Sequence, residues 1–70
     1  MSISQTLIEA ATKQAEGVVA VHKANIEVYL NNPSGIGEHS DVTEAIIEEL
    51  DKLASADDRL EMIRKYFQVK

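Results

Sequence analysis

The chain predicts an all-α fold, a long antiparallel two-helix hairpin that dimerises into a four-helix bundle. Three observations carry this expectation. Two stretches of helical periodicity and nearly equal length flank one segment of turn residues, Asn31-Asn32-Pro33-Ser34-Gly35-Ile36-Gly37-Glu38-His39-Ser40. A chain of 70 residues with no cysteine has neither a disulfide nor a thiolate metal site to stabilise it. The apolar face of the first stretch is also wider than one neighbouring helix can cover. Residues 1–70 therefore read as one hairpin domain, with a helix over about 3–31, a loop over about 32–40 and a helix over about 41–67.

The first helix opens on Ser2 and Gln5, which have the spacing of a capping box. Nothing breaks it before Leu30 except Gly17. Gln5, Glu9, Thr12, Lys13, Glu16, Lys23 and Glu27 fall on one narrow polar strip of the helical wheel. The remaining arc is apolar or small, and covers more than half of the circumference. Leu7, Ile8, Ala11 and Ala15 are its candidate contact residues in the first half, and Val18, Val19, His22 and Ile26 in the second. A helix with so broad an apolar arc is expected to touch two others, only one of them from its own chain.

The loop follows from its residue types. Asn31 and Asn32 tolerate left-handed backbone and can end a helix. Pro33 forbids continuation and pushes Asn32 towards extended geometry. Gly35 and Gly37 permit positive φ on either side of Ile36, which is expected to fold back over the hairpin end near Leu30 and Val42. Gly35 and Gly37 ahead of a helix also have the outline of a phosphate-binding turn. No strand precedes them, no lysine follows, and Glu38 and Asp41 would repel an anion, so a structural turn is the expectation. Glu38, His39 and Asp41 match no recurring metal-ligand spacing. Ser34, His39 and Asp41 have the residue types of a nucleophilic triad without a buried orienting carboxylate. No metal and no cofactor are expected.

The second helix is expected to start at Ser40 or Asp41, with Asp41 and Glu44 repeating the capping-box spacing. Val42, Ile46, Leu53, Ala56, Leu60, Ile63 and Phe67 follow steps of four and three, a heptad seam with Glu49 in one core slot. Leu53, Leu60 and Ile63 are its candidate contact residues. Arg64, Lys65 and Lys70 suit the negative end of the helix dipole. Glu9/Lys13, Glu48/Lys52 and Glu61/Lys65 have the favourable i,i+4 order for side-chain pairing.

Polar residues interrupt both apolar faces. His22 is expected to bond a carboxylate such as Glu49 across an interface, since it has no metal partner at helical spacing. Gln14, Asn25 and Glu49 read as residues that select one alignment of the helices. Tyr29, Tyr66 and Phe67 form no stacking platform for single-stranded nucleic acid.

Composition narrows function. The net charge of −5 and the scattered basic residues disfavour direct nucleic-acid binding. The start of the chain has no basic region ahead of an apolar run, and the longest apolar run, Val18 to Val21, is far too short for a membrane span. The expectation is a soluble protein of the cytoplasm.

Gly35-Ile36-Gly37-Glu38-His39-Ser40-Asp41 and the stretch from Asp57 to Phe67 resemble short helical proteins of T4-like tailed phages. That group includes a small companion of the recombination helicase UvsW. The resemblance covers the C-terminal half. It implies an accessory protein made in a host's cytoplasm, and transfers no catalytic residue. The functional expectation is a non-enzymatic, self-associating interaction module, a homodimer that also contacts another phage or host protein. The alternative is a regulator of DNA recombination, repair or replication. It would bind a helicase-type enzyme or present Glu38, Asp41, Glu44, Glu48, Glu49 and Asp51 as an acidic decoy of DNA.

Overall fold

A computed structural model describes residues 2–31 and 39–68. Two helices account for nearly all of them, α1 (Ile3–Asn31) and α2 (His39–Tyr66). Helix α1 starts where its capping box puts it. The Ser2 hydroxyl accepts from the Gln5 backbone N–H at 3.1 Å, and the Gln5 side-chain carbonyl accepts from the Ser2 N–H at 3.1 Å. Two donors that a helix start leaves unpaired are thereby satisfied. At the other end, the Asn31 side chain folds back one turn and donates to the Glu27 carbonyl at 2.8 Å.

Helix α2 begins at His39, earlier than the sequence reading puts it. Asp41 consequently lies inside the first turn. Arg64 and Lys65 occupy the last turn, where cations suit the helix dipole. The helix stops at Tyr66, so Phe67, expected to continue the seam, lies just beyond it and is exposed. Phe67 lines an open groove together with Ser4, Gln5 and Ile8 of α1. The ion pairs also differ in part from expectation. Lys13 sits 4.0 Å from Glu16, and Arg64 3.3 Å from Glu61, both one turn apart and exposed. Such pairs contribute about 0–1 kcal/mol.

The helices run antiparallel. Gln14 of α1 meets Arg59 of α2, and His22 meets Glu49, so one number falls as the other rises. The molecule is a rod of 50 × 16 × 15 Å with a radius of gyration of 15.8 Å, against about 11 Å for a compact chain of this length. Its core is thin. Among the described residues only Ala15, Val42, Ala56 and Ile63 are buried apolar side chains, and no large side chain is fully enclosed. Ala15 and Ala56 are completely inaccessible to solvent, and the register brings them to similar heights. Small residues there let the backbones approach closely.

Two outcomes follow for stability. Ser2→Ala removes the cap and should lower stability by about 1 kcal/mol, a drop of about 4–8 °C in melting temperature. Ala56→Leu forces extra volume between the helices and should cost about 1–3 kcal/mol. Thermal melts followed by circular dichroism check both, and a variant at Ala56 as stable as the parent would contradict the close approach.

Candidate interaction surface

Ala11, Ala15, Val18, His22 and Tyr29 form a stripe on α1 that is buried or half-buried against α2, with Ile8, Val19 and Ile26 alongside. Leu53 and Leu60 are half-buried and Ile63 is buried on the facing side of α2. Of the candidate contact residues Leu7 is exposed, and the others are buried or half-buried. Val18 and Val19 are half-buried.

The polar residues of this seam meet each other. His22 Nδ1 lies 2.6 Å from Glu49 Oε1, and Asn25 donates to the same oxygen at 2.9 Å. A carboxylate only accepts, so the ring Nδ1 carries the hydrogen. The side chains of His22 and Glu49 are 17% and 14% exposed, which shields the pair from water without enclosing it. Nearer the open end, Arg59 donates to Gln14 at 3.4 Å. His22, Asn25 and Gln14 thus each have a cross-helix partner, and a slip of one turn would break all of these bonds. The His22 bond, then the Asn25 bond, hold the Glu49 carboxyl below the usual carboxylate range.

Turning α1 about 120° away from this seam, at about 100° per residue, exposes a second stripe. It starts at Ile3 and Leu7 and runs through Ala10, Gln14, Gly17, Val21 and Ala24 to Val28. The steps are four and three throughout, the spacing of a coiled-coil seam. Every one of these positions is exposed; Ile3, Leu7, Val21 and Val28 are 80%, 64%, 54% and 61% accessible. Gln14 is its one polar member. Gly17 sits in the middle, and a Cβ built there meets nothing within 4 Å. A mid-helix glycine costs about 0.5–1 kcal/mol relative to alanine, and no contact inside the hairpin requires it. Sequence reasoning found the width of the apolar arc. It did not separate the arc into two stripes, although the repeated four-and-three spacing was the signal that could have done so.

Helix α2 offers less. Ile47, Leu50 and Ala54 form a shorter exposed apolar patch, which ends where Asp57 and Glu61 continue the same spacing. A concavity lies at the open end of the hairpin, between Ser4–Lys13 and Tyr66–Gln68. It is an open groove lined by Ile8, Phe67 and polar side chains. Among the described residues no group of three or more histidine, cysteine, aspartate or glutamate side chains could hold a metal, and no helix is long and apolar enough to cross a membrane. Pro33, Gly35, Ile36 and Gly37 lie outside the described residues, as do Ser34, Glu38 and the side chains of His39, Ser40 and Asp41. The turn motif that resembles phage proteins, the phosphate-turn outline and the loop metal and triad candidates all fall there.

The comparisons with known proteins leave the chain on its own geometry: no family model, curated protein or solved structure matches it.

The lowered carboxyl of Glu49 gives a pH dependence. The bonded form is the carboxylate, so its stabilisation is complete above the ordinary glutamate value of about 4.3. It is lost as pH falls below that and through the lowered folded-state value. Urea midpoints between pH 6 and pH 2 should therefore fall less steeply for Glu49→Gln than for the parent. Parallel curves would show that this contact does not contribute.

Proposed function

We propose that this chain is a protein–protein interaction module that acts as a homodimer and carries out no reaction of its own. One observation carries the reading. The hairpin fully encloses no large side chain, yet ten large apolar residues among those described stand exposed. Two helices share one line of contact, and the hydrophobic gain of a single line is small for a chain of this size. The accessible surface supports the same conclusion. It is 5341 Å², where a compact monomer of 7.7 kDa exposes about 4,300 Å². The excess, on the order of 1,000 Å², is close to the roughly 800 Å² that each partner contributes to a standard interface.

A second copy packed on α1 would cover four of these residues, Ile3, Leu7, Val21 and Val28, with no further component. Two hairpins give four helices, with α1 and its copy at the centre and the acidic outer surfaces of α2 in water. The decoy alternative loses part of its basis in this arrangement. Glu49 turns inward to His22 and Asn25 and is not part of a surface that imitates phosphates. Contact with a further phage or host protein would then use the outside of α2 or the loop.

Sedimentation over a wide concentration range is the direct test. The expected result is a dimer that dissociates only on strong dilution, with a melting temperature that rises with protein concentration. A monomer with a concentration-independent melting temperature would overturn the reading and make the outer face of α1 a site for a different protein.

A further inference from the structure

We propose that the two copies join through α1 alone, packed antiparallel along its outer stripe, with Gly17 at the point of closest approach. The inference rests on the homodimer proposed above and specifies its contact.

The outer stripe has two kinds of position. One set, Ile3, Ala10, Gly17 and Ala24, recurs every seven residues and is small except at its first member. The other set, Leu7, Gln14, Val21 and Val28, also recurs every seven residues and is larger. The orientation of the partner decides which sets meet. In a parallel pair each position faces its own copy. Ala10, Gly17 and Ala24 would then face themselves and leave three layers with little side-chain volume. Leu7, Val21 and Val28 would crowd the layers between.

In an antiparallel pair each set faces the other. Leu7 lies against the partner's Ala24, and Ala10 against the partner's Val21. Gln14 lies against the partner's Gly17, and Ile3 against the partner's Val28. Each small residue meets a larger one, which is how facing layers fill space at native density. The twofold axis passes between Gln14 and Gly17, near the middle of α1. The glycine that no contact within the hairpin explains then has a reason, since it faces the partner's Gln14, whose stem crosses it while the side-chain carbonyl stays with Arg59 of its own hairpin. Antiparallel alignment also sets the two helix dipoles in opposition.

Charge places no obstacle in this arrangement. The stripe itself has no charged residue, although the chain carries a net charge of −5. On its outer flank Glu27 comes level with the partner's Thr6, and Lys13 with the partner's Ala20, so no like charges meet. The patch at Ile47 and Leu50 cannot form an equivalent seam, because Asp57 and Glu61 occupy its continuation.

The absence of cysteine makes cross-linking a clean test. Leu7→Cys and Ala24→Cys chains are prepared separately, mixed and mildly oxidised. In the antiparallel pair Cys at position 7 of one chain and position 24 of the other lie within disulfide reach, whereas two copies of position 24 are about 25 Å apart. The expected result is a cross-linked heterodimer from the mixture, with neither variant cross-linking alone. Self-cross-linking of either variant would mean a parallel pair and overturn the inference. No cross-link from a protein that sediments as a dimer would place the contact elsewhere, and overturn this inference while leaving the proposed function standing. A parent that sediments as a monomer at every concentration would overturn both. Independently, Gly17→Leu should raise the dimer dissociation constant at least tenfold, because leucine suits a helix better than glycine and meets nothing within the hairpin. An unchanged dissociation constant would overturn the close approach at Gly17.

Discussion

Ala15 and Ala56 set how closely the two helices approach, and the rest of the hairpin is arranged around that contact. Both are fully buried, and neither has volume to spare. Helices separated by alanine can touch over much of their length, but the seam is thin: among the described residues only Ala15 and Ala56 are wholly inaccessible, with Val42 and Ile63 nearly so. Half-buried Val18, Ile26, Leu53 and Leu60 line the edges of the seam, and water reaches part of each. Close approach and a small core are thus one property of the same small residues.

A seam built this way is weakly specified by shape, since alanines and valines pack tolerably in several alignments. The polar residues supply the missing selection. Glu49 accepts from His22 and from Asn25 through one carboxylate oxygen, and Arg59 reaches Gln14 on the next turns. Sliding one helix past the other would leave these groups half-covered and unbonded, which costs more than the bonds themselves contribute. Specific alignment comes from a few hydrogen bonds at the edge of the seam, and cohesion from the apolar contacts around them.

The same geometry explains why function is sought on the outside of the molecule. The grooves along the described part of the two helices lie open to solvent. What the hairpin offers is length and a regular surface, and α1 offers that surface twice. A helix that is apolar on two sides has its natural place between two neighbours. With α2 on one side, the other side is open to a partner whose seam follows the same spacing, and another copy of α1 has that seam.

The sequence by itself determined the two helices, the serine and glutamine that open the first, the segment that separates them, and the pairing of His22 with Glu49. These are matters of local periodicity and of residue type, which a helical wheel represents faithfully. It put the start of α2 one or two residues late, within the ordinary spread of helix ends, and gave Phe67 a place in the seam, whereas Phe67 is exposed. Only the tertiary structure decided which stripe of α1 faces α2. Two stripes on that helix share the four-and-three spacing and an apolar composition, so periodicity alone treats them as one wide arc. The choice falls to the stripe carrying His22 and Asn25, because only with that stripe inward do both meet the carboxylate that α2 places opposite them.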